Sequence, residues 1–199
     1  SDLCTVPDKL LATTAKLPRV AAKVARGEPI KIVALGSSST AGVGASATAS
    51  TYPARLEVEL QRLMPHSRVT VVNKGVGGDD SQQMMARFKR DVLDEKPDMV
   101  IWQTGTNSAL KHNDVDAFTR DLRAGLRKAR AAHIDVMFMT PQQSPRFDEA
   151  PNHQAFTDRI EETARRNSAP VIRRYEFMKY WKTSGQMTVA QMVNHDGLH

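Results

Sequence analysis

The sequence predicts an α/β fold built on a mostly parallel sheet, and three observations carry that prediction. Short β-branched or apolar runs recur with the length and continuity of strands buried on both faces: IKIVAL (30–35), VTVVN (69–73), DMVIWQ (98–103), DVMFMT (135–140) and PVIRR (170–174). Segments of helical periodicity lie between them. No internal repeat or low-complexity linker breaks the alternation. Alternating strand and helix implies right-handed crossovers and puts the ligand crevice beyond the carboxyl ends of the strands.

The chain opens with an amphipathic pattern over residues 7–26, expected as one helix, and Gly27–Pro29 separates it from the first strand. Residues 1–29 are therefore expected as an N-terminal helical extension and residues 30–199 as the main body of a single domain. After the first strand, YPARLEVELQRLM (52–64) places Leu56, Leu60 and Leu63 on one stripe. DVDAFTRDLRAGLRKARAA (114–132) does the same with Phe118, Leu122 and Leu126.

Composition narrows the class. A length of 199 residues with 40% hydrophobic content suffices for one sizeable core. No run approaches the roughly 18 apolar residues of a membrane span, so no span is expected. The first thirty residues hold no secretory core. The chain starts without Met, which leaves room for a removed signal peptide and tilts the expected location toward periplasm or secretion. Cys4, the single cysteine, is expected as a minor or externally paired thiol. The net charge of +6 comes from Lys and Arg interspersed with acids along helices, as in RFKRDVLDEK, without the aromatic interleaving of a single-strand platform. Solvated helix faces are expected, with no nucleic acid partner.

The unusual residues gather after the strands. GSSSTAG follows strand one, NKGVGGDDS strand two, QTGTNSAL strand three, and NHDGLH comes after strand five. A parallel sheet would bring all four to one edge, supplying a hydroxyl, close backbone amides, a carboxamide, a carboxylate and an imidazole. Those are the parts of an acyl-transfer site. Taken singly, each segment also has a local reading. The hydroxyls of GSSSTAG could cap the next helix, Asp79, Asp80 or Ser81 could do the same after NKGVGG, and Asn107 could cap or close an Asx turn. A phosphate cradle fits GSSSTAG poorly, because no Lys follows in the required position and the spacing is not G-x-G-x-x-G. Asp196 and His199 share a face at a spacing of three, so the carboxylate can fix the imidazole tautomer. His195 and His199 could instead bind a metal, but Gly197 lies between them and no third ligand is evident. His66, His112, His133 and His153 read as surface residues.

The order and spacing of GSSSTAG, NKGVGG, GTN and DGLH resemble the signature blocks of the SGNH, or GDSL-type, hydrolases, and the resemblance runs from Gly36 to His199. It implies a flavodoxin-like three-layer α/β/α sandwich with a five-stranded parallel sheet and no cofactor or metal. It implies Ser38 as nucleophile, with Gly36 and Gly42 matching the first block and Ser37 standing where relatives carry an acid. It likewise implies Asp196 and His199 as the rest of the triad. The oxyanion donors it implies are Ser38 and Gly78 through their N–H groups and Asn107 through its side chain. Ser108 departs from the Asp that many relatives carry after Asn.

The activity implied is ester hydrolysis through an acyl-enzyme. The low aromatic content of 6% and the lack of a long apolar lid favour a short acyl group such as acetyl, on a carbohydrate or cell-envelope glycan. Acyl transfer on the same site and a catalytically retired glycan-binding module are the alternatives; oligomeric state is left open. The sequence stops at the residue expected to act as base, which leads to the expectation that the native chain continues past His199.

Overall fold

The computed structural model describes residues 4–199. Two short helices, α1 (Asp8–Leu11) and α2 (Pro18–Arg26), precede β1 (Ile30–Gly36). Then come α3 (Ser38–Ala41), a 3₁₀ turn at Thr48–Ser50, α4 (Tyr52–Leu63), β2 (Val69–Gly75), α5 (Ser81–Ala86) and a π-wound turn at Lys89–Leu93. β3 (Met99–Gln103), α6 (Thr106–Leu110), α7 (Val115–Ala131) and β4 (Asp135–Met139) follow. The chain finishes with α8 (Pro145–Asp148), α9 (His153–Arg166), β5 (Val171–Ile172), α10 (Arg174–Thr183) and α11 (Val189–Met192).

The five strands are all parallel, in the order β2-β1-β3-β4-β5. The chain starts in the second position, steps outward to β2 and then crosses back over β1 to β3, so the order reverses between β1 and β3. Loops leaving these two strands diverge there and open a crevice at their carboxyl ends.

Residues alternate between two cores with the period of a strand. Val33, Leu35, Val100, Trp102, Val136 and Phe138 face one side, where α5, α7 and α9 cover them. Ile30, Ile32, Met99 and Ile101 face the other, against Val20 of α2 and Leu56 and Leu60 of α4. Trp102 is fully buried, with its ring centroid 5.7 Å from both Phe88 and Phe138. Among the described residues, no helix is long and apolar enough to cross a membrane.

Three local expectations are corrected. The helix expected over 7–26 is split, because Pro18 lacks the N–H and carries the ring that a continuous helix cannot accommodate. Leu17 before it leaves the helical region, and Pro18 instead starts α2. Leu63 does not join the stripe of Leu56 and Leu60: it is 64% exposed, and Met64, where the chain leaves the helix, packs inward in its place. The last strand keeps two residues of the expected five, since Arg174 already opens α10 with the Thr140 hydroxyl accepting from the next amide, Tyr175 N, at 3.1 Å.

The amino edge of the sheet is fastened by buried Asp98. Its carboxylate accepts from Lys31 N at 2.9 Å and from Arg19 and Lys23 of α2 at 2.9 and 2.8 Å. Asp135 accepts from Val20 N at 3.0 Å, completing the dock of α2 beneath the strands. Cys4 is exposed, with Sγ 3.9 Å from Met187 Sδ.

Candidate active site

The turn after β1 shows why three serines follow a buried strand. Gly36 is required: a Cβ there would come within 2.0 Å of Thr40 Oγ1 and 2.7 Å of Gln103 Oε1. The hydroxyls around Ser38 do not cap α3. Gln103, at the carboxyl end of β3, instead gathers them. Its Oε1 accepts from Ser37 N at 2.9 Å, Ser37 Oγ at 3.2 Å, Ser39 Oγ at 3.2 Å and Thr40 Oγ1 at 3.0 Å. Ser38 alone of the three serines is left out of this convergence, and its hydroxyl stands half-exposed at the mouth of the crevice.

His199 meets it there. Nε2 lies 2.7 Å from Ser38 Oγ, and Nδ1 lies 2.6 Å from Asp196 Oδ2. The other Asp196 oxygen accepts from the backbone N–H groups of Leu198 and His199, each at 2.9 Å. The amide of His199, its imidazole and the Leu198 amide hold the Asp196 carboxyl well below the usual carboxylate range. An ionised carboxylate only accepts, so Nδ1 must donate. A neutral ring with its one N–H so used offers a lone pair at Nε2. Both His199 nitrogens are engaged within the chain, and His195 is exposed. No cluster of three or more metal-ligating side chains occurs among the described residues.

The loop after β2 supplies the opposite wall. Gly78 adopts φ +81°, a left-handed conformation that favours glycine, and nothing lies within 4 Å of where a Cβ would stand. The adjacent Gly77 would place a Cβ 4.0 Å from that of Ser38, so this loop passes beside the serine. Asn107, in the first turn of α6, donates one Nδ2 hydrogen to Asp79 O at 2.9 Å. Gly105 rather than Asn107 is the N-cap of α6, and no side chain caps that helix; the second Nδ2 hydrogen of Asn107 is left over from the bond to Asp79 O. Of the three capping candidates after β2, Asp80 takes the role, in a reciprocal pair with Gln83 at 3.0 and 3.1 Å. Ser108, fully buried, accepts from Ser81 N at 3.4 Å.

Three residues without a mark in the sequence complete the site. Gln103 is one. Arg87 is the second, a buried guanidinium bonded to Asp79 at 2.7 Å, Asp91 at 2.8 Å, Lys74 O at 2.8 Å and Gly36 O at 2.9 Å. It ties the end of β1 to the Gly78 loop. Asp91, bonded by Arg90 and then by Arg87, has its pKa drawn down to about 2. The third is Arg174, which donates to Ser39 Oγ at 3.1 Å and to Thr140 O at 3.2 Å. An arginine near a helix end and a glutamine closing an apolar strand were the available signals, and both are common in structural roles. Of the histidines expected at the surface, His66, His112 and His133 are exposed. His153 is not: it is half-buried, with its ring edge-on to Phe147 and Nδ1 3.0 Å from Ala150 O.

With this geometry the kinship is informative. The profile of the non-GDSL lipase-like family matches residues 3–199, nearly the whole chain. The chain belongs to that family. Thioesterase 1/protease 1/lysophospholipase L1 of Escherichia coli K12 is 27% identical over 168 residues, covering 84% of this chain and 74% of that protein. The acetylxylan esterase of Geobacillus stearothermophilus is 28% identical over 137 residues, 60% of this chain and 62% of that one. Among solved structures, a two-domain esterase (CEX) active on acetylated mannans superposes with a TM-score of 0.77 at 23% identity, over 94% of this chain and 49% of that chain. The protein is thus an SGNH-type serine hydrolase of esters with the flavodoxin-like sandwich, as the resemblance of its motif blocks implies.

Proposed function

We propose that the protein hydrolyses short-chain esters, acetyl foremost, on a carbohydrate or glycan, with Ser38 as nucleophile, His199 as base and Asp196 as its orienter. The observation that carries this reading is the continuous hydrogen-bonded line from Ser38 Oγ through both His199 nitrogens to Asp196. Residues 30–199 form the catalytic body in this reading and residues 1–29 an N-terminal extension, whose α2 packs on the sheet.

The serine attacks the ester carbonyl while its proton passes to Nε2. The Ser38 and Gly78 N–H groups and the free Nδ2 hydrogen of Asn107 hold the developing oxyanion. The imidazolium, steadied by Asp196, then protonates the leaving alcohol, and the freed ring activates water against the acyl-enzyme. A short acyl group is supported by two relatives, an acetylxylan esterase and an esterase active on acetylated mannans.

An organophosphonate probe tests the assignment. It should label Ser38 in the wild-type protein, with the adduct located by peptide mass, and leave Ser38→Ala unmodified. Ser37→Ala and Ser39→Ala should keep most of the turnover of acetyl esters, while Ser38→Ala loses it. Labelling elsewhere, or full turnover without the Ser38 hydroxyl, overturns the assignment. EDTA should leave activity intact; loss reversed by zinc would favour the His195/His199 alternative.

A further inference from the structure

A cavity of about 230 Å³ adjoins the site on one side only: Ser39 and His199 line it, while Gly77, Gly78 and Asn107 do not. In the reaction proposed above, His199 delivers its proton to the departing oxygen, so the cavity on the imidazole side receives the alcohol rather than the acyl group. Its floor holds an unusual set of groups. Arg174 lines it with no carboxylate within ion-pair distance among the described residues, and its Nη2 is buried without a hydrogen-bond partner. The Tyr52 hydroxyl, in the same wall, is also buried, with only the Thr40 side chain near enough to bond it, and Gln142 Oε1 is buried without a partner. No acidic residue lines the cavity.

A buried guanidinium with one nitrogen unbonded and no counter-charge, and a buried amide oxygen without a partner, are each costly, by roughly 1–3 kcal/mol for an unsatisfied polar group and more for a charge. Burial draws the Arg174 guanidinium down to about 10 and pushes the Tyr52 phenol up to about 12, so at neutral pH the pair is one cation and one neutral donor.

We propose that this cavity is a leaving-group subsite for an alcohol that bears a carboxylate. Arg174 Nη2 and the Tyr52 hydroxyl bind the carboxylate, and Gln142 Oε1 accepts from a neighbouring hydroxyl of the same alcohol. Acylated sugar acids and other acylated hydroxy acids are the class this selects. The inference rests on the esterase reading for which part of the substrate enters the cavity, but carboxylate binding itself does not depend on turnover.

The test therefore has two arms at fixed ionic strength. In the first, kcat/KM is compared for 3-acetoxybenzoate and for its neutral counterpart 3-acetoxybenzamide. The wild-type protein should favour the carboxylate by about 10-fold or more, through KM, and Arg174→Gln should bring the ratio to about 1. Tyr52→Phe, which removes one hydroxyl, should lower the ratio by about threefold and keeps the test open if Arg174→Gln fails to fold. In the second arm, calorimetry follows binding of 3-hydroxybenzoate to Ser38→Ala, which cannot turn over. Binding should be seen there and be absent with 3-hydroxybenzamide. Should no ester be hydrolysed while 3-hydroxybenzoate binds and Tyr52→Phe weakens it, the subsite stands and the esterase reading fails. A wild-type ratio near 1, or equal binding of benzoate and benzamide, overturns the subsite.

Discussion

The two halves of the site are held in opposite ways. The Ser38 turn is gripped from a distance: Gln103 reaches it across 63 to 66 residues of sequence, and Arg87 ties its strand end to the Gly78 loop through a buried guanidinium. The Asp196–His199 turn is gripped by itself. Its carboxylate bonds only residues two and three positions on, and the Asp196 side chain remains 44% exposed. Apart from the His199–Ser38 contact, its ties to α8 and the loop before it go through its backbone, from Gln142 Nε2 to Leu198 O at 2.6 Å and from Arg146 N to Gly197 O at 3.1 Å. The Ser38 turn and the Gly78 loop thus share their bonds with the core of the fold. Asp196 and His199 bond chiefly each other, and the Asp196 side chain stands half open to water. Damage to the first half should therefore appear in stability as well as rate, and damage to the second in rate alone.

Asp196→Asn gives the largest effect and the cleanest separation. Loss of the carboxylate removes the acceptor that sets the imidazole tautomer, so kcat should fall by roughly 10³–10⁴. The melting temperature should move by less than about 2 °C, because the side chain is half in water. A large drop in melting temperature would erase the contrast between the halves. The depressed pKa of Asp196 adds that its carboxylate stays ionised throughout the working range, so an acid limb in the rate profile belongs to another group.

Asn107→Ala comes next. In the proposed oxyanion role its second Nδ2 hydrogen meets charge that exists only in the transition state, so kcat should fall by roughly 10²–10³ with a smaller change in KM. Unchanged kcat would confine Asn107 to its bond with Asp79 O.

Gln103→Leu sharpens the comparison from the other side. Four donors lose their acceptor inside the protein, and denaturant unfolding should show a loss of about 1–3 kcal/mol together with a reduced kcat. Stability equal to wild type would mean that water replaces the amide oxygen and that the serine half is less tightly built than argued.

Asp91→Asn has the smallest expected effect and a pH signature. The folded pKa of about 2 lies below the ordinary carboxylate value of 3.8, so the stabilisation is fully present above about pH 4 and is lost as pH falls through about 2. At neutral pH the variant should be less stable by about 1–2 kcal/mol, discounted because Arg90 is exposed. The gap between the unfolding curves of variant and wild type should close between about pH 4 and pH 2. A gap independent of pH would remove the ion pairs as its cause.

What could be read in advance follows the same division. The strands, the parallel sheet and the four loop segments were legible because each rests on a local pattern: apolar runs, glycines at turns, an Asp and a His at one helical turn's spacing. The split at Pro18 was also legible in principle, since a proline inside a helical pattern ends it. Leu63 against Met64 was not, as both positions fit a 3.6-residue stripe and only the exit of the chain from α4 decides between them. Gln103, Arg87 and Arg174 had only local signals that structural residues commonly share. Their partners lie 63, 51 and 135 residues away for the bonds to Thr40, Gly36 and Ser39, and a side chain whose role is defined by such a partner is invisible until the chain is folded.

The Ser38–His199 contact joins residues 161 positions apart, one just after the first strand and the other at the far end of the sequence. Closing a loop of that length has to wait for the intervening strands to shorten it, because its entropic cost is met only when β1, β3 and β4 already lie side by side. Refolding should therefore pass through a period in which the sheet is complete, by far-ultraviolet dichroism and tryptophan burial, while ester turnover is still absent. The chain becomes a protein before it becomes an enzyme.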